Sequence, residues 1–549
     1  MPRQQWKSRS EFLFTTIGYC VGLGNIWRFP YLAAESGAGA FLIPYLIMTF
    51  ALGIPLFYLE VGIGQAMKQG PAGAFSALFP GLYGVGVATV MLTFLLASYY
   101  CVVMAWCLFL VFDNFKMLAI RCRNVFSEDS GKITNSSMLV IPDTRHYWEQ
   151  TVLQDARLEI FICLALVWIG VFLTIRKGVS SASNIAKYTV LAPYILLAIL
   201  FIKTLNMPGS TEGILFFLTP QWKQMLTFKV WINAAAQVFN SLGLAFGGMV
   251  TYGSYRTGEG SLLIDTAITV VLNAFTSIIS GLLIFSAIGV ISMQNGVSIE
   301  DSIEEGIDLL FVVYPILFGI MGNKEIWGIL FFMIVLFLGF NTEFCMVQTV
   351  VAFIEDISEK IGDKQCDQNC DSDENSENPK NDKNQRTILC FTICVIMFVA
   401  SLPTVSSYGI KYYKLMDSYT CIVGLMVVAF SEVSIICWGY GVDNLEKLFV
   451  KNGVIDKMEK PIKFTLKFIC PSYIFVILCL TFSNLSVVRY KNEAYPVLAH
   501  VFGGFVSLSS VVCIPVGAFI VKRNRRIGFS SLWKRVTDDE NEEFDDLKL

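Results

Sequence analysis

Stretches of roughly 20 predominantly apolar residues recur about twelve times along this chain, and each is long enough to cross the ~30 Å hydrocarbon core of a bilayer. Hydrophobic residues make up 54% of the sequence and charged residues 15%, which excludes a soluble globular protein. Because an open sheet edge has no hydrogen-bond partners in lipid, the spans must be helices. The sequence predicts an all-α polytopic membrane protein with transmembrane helices at about 11–35, 40–65, 84–112, 158–175, 185–205, 227–256, 262–292, 323–357, 386–402, 417–446, 461–483 and 496–521.

The charged and metal-binding residues argue against two classes of function. The formal net charge is −3 and the basic residues fall in short clusters, so we expect no nucleic-acid partner. The chain has only two histidines, His146 and His500, too few for a histidine-based metal centre or catalytic triad, and we expect no enzyme. Cys366 and Cys370 are spaced like metal ligands, but they lie in an acidic segment, residues 362–386, whose composition predicts a disordered cytoplasmic loop.

Basic residues beside the spans predict the orientation of the chain in the membrane. The N-terminal segment 1–10 is basic, and the tail 522–549 begins with the basic sequence KRNRR, so both are expected in the cytoplasm. No cleavable signal peptide is evident. Residues 116–157 are expected to form a large extracellular loop, because Asn135 begins an N-glycosylation acceptor pattern, Asn-Ser-Ser. The predicted location is the plasma membrane.

Glycines interrupt two of the spans at mid-depth. The first contains GYCVGLGNIWRFP, residues 18–30, and the sixth contains QVFNSLGLAFGGMVTYGSY, residues 237–255. In secondary transporters, broken helices at corresponding positions of two repeats form the substrate and ion site, because unwound backbone exposes carbonyl and N–H groups. The alternative is that the glycines only permit close helix packing. Two interruptions in corresponding spans favour a binding site.

These stretches resemble the neurotransmitter:sodium symporter family. The resemblance runs from RQQWKSRSEFLFTTIGYCVGLGNIWRFPYLAAESGAGAFLIPY through LGIPLFYLEVGIGQ and VWINAAAQVF to LGFNTEF. It implies the fold of the bacterial leucine transporter, with helices 1 and 6 broken, inverted five-helix repeats at 11–205 and 227–446, and two further helices at 461–521. It also implies sodium-driven uptake by alternating access, and the run SLGLAFGG is most similar to the neutral amino acid branch.

The resemblance also implies ligands for two sodium ions and a substrate. One sodium ion would be bound by Cys20, Asn25, Ser241 and Asn273, and the other by Gly18, Val21, Leu338, Asn341 and Thr342. Carbonyl, amide and hydroxyl oxygens suit a hard cation. The substrate would contact Cys20, Leu23, Gly24, Leu96, Tyr100, Asn240, Ser241, Gly243, Phe246 and Met346.

A chloride site and two gates follow from the same resemblance. Chloride-independent bacterial relatives have a glutamate where this chain has Ser277, so a chloride ion would supply the missing negative charge. Its ligands would be Tyr45, Gln237, Ser241, Asn273 and Ser277. Arg28 and Asp417 would form the outer gate, and Arg3 and Asp356, with Trp6 and Tyr255 nearby, the inner gate.

Some positions depart from the family pattern and bear on the substrate. Gly22 stands where monoamine carriers hold an aspartate, so a zwitterion fits better than an organic cation. Asn240 stands where relatives have a phenylalanine lid, and Asn341 and Glu343 stand where many animal relatives have Asp and Gln. The outer loop holds only Cys122, where relatives carry a disulfide pair.

We therefore expect a sodium- and chloride-coupled symporter for amino acids in the lipid bilayer. An accessory membrane subunit and a second copy of the chain remain open as partners. Two alternatives also remain open: uptake of GABA or glycine as neurotransmitters, and an amino-acid-binding sensor or accessory protein that does not translocate. A channel or a membrane enzyme is disfavoured, because neither a ring of pore charges nor a nucleophile with its base is evident.

Overall fold

The computed structural model describes residues 4–126, 141–155, 157–258, 260–303, 306–368, 379–455, 457–483, 489–490, 493–525 and 532. Their regular structure is helical, with one exception outside the apolar spans. There, strand β1 (Arg489–Tyr490) pairs antiparallel with β2 (Glu493–Ala494). The predicted all-α class therefore holds for the apolar spans, and the short hairpin is tolerated because a backbone outside the hydrocarbon can also bond to water.

The helices of the first half begin where the polar N-terminal segment ends. Ser8 accepts a hydrogen bond at its Oγ from the backbone N–H of Glu11 at 3.3 Å, which caps the first helix. The helices are α1 (Arg9–Cys20), α2 (Phe29–Glu35), α3 (Gly39–Met48), α4 (Ile54–Met67), α5 (Pro71–Leu78), α6 (Tyr83–Phe126), α7 (Ile141–His146), α8 (Arg157–Ile175) and α9 (Val179–Leu205). Short π-helical turns at Gly24–Arg28, Thr49–Gly53 and Tyr147–Asp155 and a 3₁₀ turn at Pro80–Leu82 join some of them.

The second half also consists of α-helices joined by short π-helical and 3₁₀ turns. Its helices are α10 (Ser210–Leu218), α11 (Trp222–Met225), α12 (Phe228–Leu242), α13 (Gly248–Ser254), α14 (Leu262–Asn295), α15 (Tyr314–Met321), α16 (Lys324–Gln368), α17 (Pro379–Ser401), α18 (Gly409–Ser418), α19 (Leu425–Ser434), α20 (Val442–Lys451), α21 (Lys460–Phe464), α22 (Cys470–Ser483) and α23 (Val497–Arg525). The π-helical turns lie at Leu309–Val313, Tyr419–Gly424, Ile435–Gly441 and Thr465–Ile469, and the 3₁₀ turns at Glu300–Ser302 and Leu402–Val405.

Ten helical segments in the described part of the chain are long and apolar enough to cross a membrane. They are Gly39–Met67, Pro80–Arg121, Arg157–Ile175, Ile185–Leu205, Leu262–Asn295, Lys324–Ser358, Asn384–Val405, Gly409–Lys451, Lys460–Ser483 and Val497–Asn524. Large apolar side chains stay exposed on the outside of the bundle, for example Leu158 at 69% and Phe505 at 67%. A surface of this kind is stable only against lipid.

The first and sixth predicted spans are absent from these ten because each is interrupted. Helix α1 ends at Cys20 and helical structure resumes at Gly24, while α12 ends at Leu242 and α13 begins at Gly248. In the second interruption Gly243, Ala245 and Gly247 have φ angles of 63°, 62° and 75°. These left-handed conformations cannot continue a right-handed helix. Each half is therefore too short to span the bilayer alone.

Three helix ends extend into the two predicted loops. Helix α6 continues to Phe126, within the predicted outer loop 116–157, and α16 and α17 extend to Gln368 and back to Pro379, within the predicted loop 362–386. Hydropathy marks only the part of a helix in lipid, whereas the intrahelical hydrogen bonds can continue into water. Residues 127–140 and 369–378 lie outside the described part.

The interrupted helices occupy the middle of the bundle. Helix α1 packs against α9, α14 and α16, while α12 packs against α3 and α13 against α4. Helix α16 in turn packs extensively against α6 and α9. The ends of α1 and α12 at the two interruptions therefore lie among α6, α14 and α16. These three helices position the candidate site.

Candidate binding site between two interrupted helices

A cavity lies where the two interruptions meet. It is lined by Tyr19, Cys20, Gly22, Leu23, Gly24, Asn25, Trp27, Arg28, Leu96, Tyr99, Tyr100, Asn240, Ser241, Gly243, Phe246, Thr342, Tyr413, Asp417 and Cys421. Nine of the ten predicted substrate residues are in this lining. The exception is Met346, which is buried on α16. A Cβ atom on Gly248 would lie 3.1 Å from both the Tyr19 hydroxyl and the Cys345 thiol, so the Tyr19 ring fills the space next to that part of α16.

The first interruption replaces helical hydrogen bonds with bonds to side chains. The N–H of Gly22 donates to the Cys20 carbonyl at 3.0 Å and to Asn25 Oδ1 at 3.2 Å. The N–H of Leu23 donates to the Tyr100 hydroxyl at 3.4 Å. A Cβ atom on Gly22 would lie 2.6 Å from the Thr342 hydroxyl. Position 22 therefore has no room for a side chain, and the Tyr100 hydroxyl lies against the backbone of the first interruption.

The second interruption is held by a buried carboxyl group that the sequence analysis did not single out. Glu60, on α4, accepts a hydrogen bond at Oε1 from the N–H of Ala245 at 2.8 Å and is 2% exposed. Thr93 donates from its hydroxyl to the carbonyl of Phe246. These bonds satisfy backbone groups that the broken helix leaves free. The only sequence signal for Glu60 is an acid within an apolar span.

The predicted residues of the first sodium site form one connected network. The side-chain amide of Asn25 donates to Asn273 Oδ1 at 2.7 Å and to the Asn273 carbonyl at 3.1 Å. Ser241 donates to Asn273 Oδ1 at 3.0 Å and accepts from Asn273 Nδ2 at 2.8 Å. Asn25, Ser241 and Asn273 are all buried. The structure therefore brings neutral oxygens from α12, α14 and the first interruption together.

The predicted chloride residues join the same network. Asn25 donates to the Ser277 hydroxyl at 2.9 Å, and Tyr45 donates to the same oxygen at 3.2 Å. Gln237 donates from Nε2 to the Gly24 carbonyl at 3.1 Å, while its Oε1 is buried without a partner among the described residues. Tyr45, Gln237 and Ser277 are therefore buried donors gathered around one end of the first interruption.

The predicted residues of the second sodium site meet where α16 crosses α1. Thr342 donates from its hydroxyl to the Tyr19 carbonyl at 3.1 Å, with the Leu338 carbonyl at 3.4 Å. A Cβ atom on Gly18 would lie 3.3 Å from Asn341 Cβ, so the two helices are in close contact. Val21 follows the end of α1, and its N–H donates to the Ile17 carbonyl.

The amide group of Asn341 has one satisfied atom and one unsatisfied atom. Its Oδ1 lies 2.8 Å from the Thr189 hydroxyl, which is also 3.0 Å from the Ile185 carbonyl. Its Nδ2 is buried and has no partner in the described part of the chain. An unpaired buried amide is costly, and the two ends of an amide are nearly indistinguishable by shape.

The predicted ion pair of the outer gate is formed at the cavity. Arg28 donates from Nη1 to the Asp417 carboxylate oxygens at 3.2 and 3.4 Å, and both side chains are largely buried. The Tyr99 hydroxyl donates to Asp417 at 3.3 Å and lies 3.1 Å from the Cys421 thiol. The predicted outer pair is thus present, and Tyr99 and Cys421 are partners that the sequence did not indicate.

The aromatic residues predicted for the inner gate, Trp6 and Tyr255, pack against each other. The N–H of Trp6 donates to the Tyr255 carbonyl at 2.9 Å, and its indole Nε1 donates to the Tyr252 carbonyl at 3.2 Å. The Tyr255 hydroxyl accepts a hydrogen bond from Gln348 Nε2 at 2.9 Å. Trp6 is only 2% exposed. Trp6 therefore binds the segment before α1 to the end of α13.

The charged partners of the predicted inner gate are only partly described. Arg3 lies outside the described residues, as does Asn135, so their predicted roles stay predictions. Asp356 accepts a hydrogen bond from the N–H of Gly70 at 2.7 Å. Nearby, Lys68 donates to the Arg256 carbonyl, and burial together with the Arg256 guanidinium lowers the pKa of Lys68.

The chain is similar to known membrane transporters over nearly its whole length. A model of the sodium:neurotransmitter symporter family matches residues 3–525. The chain is 32% identical to the sodium- and chloride-dependent GABA transporter ine of Drosophila melanogaster, with 97% of this chain and 57% of that protein covered.

Two further relatives are covered more completely. The chain is 31% identical to the sodium- and chloride-dependent GABA transporter 2 of Rattus norvegicus, covering 94% of this chain and 86% of that protein. It is 30% identical to the sodium- and chloride-dependent glycine transporter 2 of Xenopus laevis, covering 95% and 69%. The chain thus spans little more than half of the Drosophila relative and most of the rat relative.

Proposed function

Because this chain belongs to the sodium:neurotransmitter symporter family, we propose that it imports a small zwitterionic amino acid by symport with sodium and chloride. The observation that carries this proposal is the cavity at the two interruptions, where backbone amides, carbonyls and the Tyr100 hydroxyl converge. Relatives named as GABA and glycine transporters support this substrate class. Neutral amino acids remain our preferred substrates, and GABA or glycine are the alternative.

The proposed fold has twelve transmembrane helices. The ten long spans are supplemented by α1 with α2 and by α12 with α13, each pair forming one broken helix. Broken helices placed in two inverted repeats support alternating access, in which one part of the bundle rocks against the other around a central site. We propose the plasma membrane as the location, with both termini in the cytoplasm and Asn135 in the extracellular loop.

We propose that the first sodium ion binds within the network of Asn25, Ser241 and Asn273, with the Cys20 carbonyl. Ser241 Oγ lies 3.0 Å from Asn273 Oδ1, and the side-chain amide of Asn25 lies 2.7 Å from the same Asn273 oxygen, so these groups are already gathered where a small hard cation would bind oxygen ligands. The substrate carboxylate would complete this site. Sodium and substrate would then stabilise each other's binding, which is the basis of coupling.

We propose that the second sodium ion binds between Asn341, Thr342 and the carbonyls of Gly18, Val21 and Leu338. Rotating the Asn341 amide by about 180° gives Nδ2 the Thr189 hydroxyl as acceptor and frees Oδ1 for a cation. The Thr189 hydroxyl then keeps its bond to the Ile185 carbonyl. After this rotation Nδ2 has an acceptor, and Oδ1 is available as a ligand for sodium.

We propose that chloride binds at Tyr45, Gln237 and Ser277. A chloride ion there places a negative charge within the network that holds the first sodium ion, which offsets the cost of two cations in a medium of low dielectric constant. With two sodium ions, one chloride and a zwitterion, one net positive charge moves inward per cycle. That charge contributes about 2.3 kcal/mol per 100 mV of membrane potential.

The cavity favours a zwitterion over an organic cation. Of the acids in its lining, Asp417 is engaged by Arg28, and Gly22 leaves no room for a further carboxylate. The substrate carboxylate would bind sodium, the Leu23 and Gly24 amides and Tyr100. Asn240 lines the cavity, and it would contribute a polar contact where an apolar lid would otherwise exclude water.

The contacts on both sides support an occluded arrangement with the two gates shut. The Arg28–Asp417 pair closes the outer side and the contacts of Trp6 close the inner side. Transport requires each gate to open in turn while the other stays closed. Sodium binding at the interruptions would bias which gate opens, because its ligands belong to helices on both sides of the site.

The test is uptake of a panel of radiolabelled amino acids, GABA and glycine by cells expressing the chain, in sodium chloride, choline chloride and sodium gluconate. We expect uptake of at least one neutral amino acid that disappears in choline and falls in gluconate. Sodium-dependent binding without uptake would instead support the alternative, an amino-acid-binding sensor or accessory protein. Uptake that is unaffected by choline would contradict symport.

A further inference from the structure

A buried carboxyl group lies beside the proposed second sodium site. Glu343, on α16, is fully buried, and neither of its carboxyl oxygens has a hydrogen-bond partner of normal geometry among the described residues. It directly follows Thr342, whose hydroxyl contacts α1. A carboxylate buried in this way is costly unless a positive charge lies nearby.

The side chains that face Glu343 offer no positive charge. Tyr100 and Cys101 on α6 and Cys394 on α17 interact with its carboxyl group. No lysine or arginine in the described part of the chain pairs with it. The helices packed around Glu343 therefore leave the carboxyl group without a counter-charge.

The proposed second sodium site has the opposite deficit. Its donors are the carbonyls of Gly18, Val21 and Leu338 and the side chains of Asn341 and Thr342, all of them neutral. Neutral oxygens can coordinate a cation but do not cancel its charge, which is a poor arrangement where the dielectric constant is low. A site that lacks negative charge thus adjoins a carboxyl group that lacks positive charge.

We propose that Glu343 supplies the counter-charge for the second sodium ion from a position just outside its coordination shell. This inference rests on the proposed function, because it requires a sodium ion at Asn341 and Thr342. The Tyr100 hydroxyl interacts with Thr342, and Tyr100 also lies within electrostatic range of Glu343, so the carboxylate is close to the site. Glu343 is a positioning residue and not a ligand.

The test measures sodium binding through thermal stability instead of transport. Purified protein is titrated with sodium chloride against choline chloride at constant total chloride, and the sodium concentration giving half-maximal stabilisation is determined. We expect E343Q to raise that concentration about tenfold or more, because one charge at a separation of several ångströms within a protein is worth at least that factor. The chloride concentration for half-maximal stabilisation should stay the same.

A charge-relocation variant distinguishes electrostatics from packing. In N341D/E343Q the carboxylate moves from position 343 to a sodium ligand, and the half-maximal sodium concentration should return to within about threefold of the wild-type value. A packing role at position 343 would not be repaired by a charge two residues away. As a matched control, E325Q changes another buried glutamate of α16, whose carboxylate pairs with Arg121 away from the cavity, and should leave the sodium response within about threefold of wild type.

An unchanged sodium response in E343Q would overturn the inference, as would N341D/E343Q responding as weakly as E343Q. If E343Q does not fold, the relocation variant decides: recovery of fold and sodium response supports the inference, and failure overturns it. A wild-type protein that sodium does not stabilise would contradict the proposed function itself. The two failures are therefore distinguishable.

Discussion

The side-chain amide of Asn25 donates a hydrogen bond to the Ser277 hydroxyl at 2.9 Å. This bond joins the residues proposed for the first sodium ion to those proposed for chloride. A cation and an anion bound at its two ends would stabilise each other directly, because little water lies between buried groups. The dependence of transport on the two ions should therefore be linked through Ser277.

A carboxylate at position 277 should replace chloride. We expect Ser277→Glu to retain sodium-dependent uptake and to lose most of its dependence on chloride, because the fixed charge offsets the sodium ions permanently. Ser277→Ala removes the hydroxyl without adding charge and should weaken uptake without relieving the chloride requirement. Uptake measured in chloride and in gluconate checks both variants. Equal chloride dependence in Ser277→Glu and wild type would refute this anion site.

The hydroxyl of Tyr100 should bind the substrate carboxylate. Tyr100→Phe leaves the ring in place but removes a hydrogen bond to a charged group, worth about 1.5–3 kcal/mol, so we expect KM for substrate to rise about tenfold or more. Tyr314→Phe is the matched control, because Tyr314 is buried outside the cavity lining and its hydroxyl has no hydrogen-bond partner among the described residues. Kinetics of radiolabelled uptake give both KM values. A normal KM in Tyr100→Phe would count against the proposed pose.

Two glycines, one at the site and one far from it, should respond differently to the same substitution. A Cβ atom at Gly22 would lie 2.6 Å from the Thr342 hydroxyl, whereas a Cβ atom at Gly504, on α23 and outside the cavity lining, meets nothing within 4 Å. We expect Gly22→Ala to weaken the sodium response and reduce uptake by at least about tenfold, since overpacking typically costs 1–3 kcal/mol. Gly504→Ala should keep uptake close to wild type. An uptake in Gly22→Ala as high as in Gly504→Ala would show that the close approach of α1 to Thr342 does not matter.

The outer ion pair should be needed for transport but not for substrate binding. Asp417→Asn keeps the shape of the side chain but removes the charge that holds Arg28 at 3.2 Å. We expect uptake to fall by at least about tenfold, the order of effect of losing a partly buried pair, while sodium-dependent substrate binding persists. The control is Asp443→Asn, whose acid is 70% exposed, and it should transport normally. Loss of binding in Asp417→Asn would show that the pair helps to form the site instead of closing it.

The swapped pair offers a second test of the same gate. In Arg28→Asp/Asp417→Arg the two charges are exchanged, and part of the lost uptake should return if attraction between them is what closes the cavity. Uptake of the double variant is compared with that of Asp417→Asn. A double variant that is no better than the single one would indicate that the orientation of each group, and not their attraction, is what transport requires.

Much of the proposed site could be predicted because the chain resembles a symporter family, and the resemblance assigns Asn25, Asn273 and Ser277 to ion sites. Asn25, Asn273 and Ser277 would be costly in lipid without partners, and the structure places them in one network. The glycines within the first and sixth spans predicted the two interruptions, which are present. The predicted family is confirmed by the match over residues 3–525, and with it the expectation that the chain is a transporter and not an enzyme.

Other features depend on packing that no local pattern reveals. The cavity lining does not include Met346, although Met346 lies on the same helix as Thr342. The role of Glu60 depends on the position of α4 beside Ala245, 185 residues away in sequence. Helix α6 continues past its apolar stretch to Phe126, because a helix needs no lipid to maintain its own hydrogen bonds.

The most direct test of the central claim is equilibrium binding of radiolabelled substrate to purified protein, titrated with sodium at constant ionic strength. A substrate carboxylate that completes the first sodium site predicts that binding saturates with sodium and is absent in choline, and that Asn25→Ala requires at least about tenfold more sodium. Substrate binding that is equally tight in sodium and in choline would contradict a shared site at the two interrupted helices.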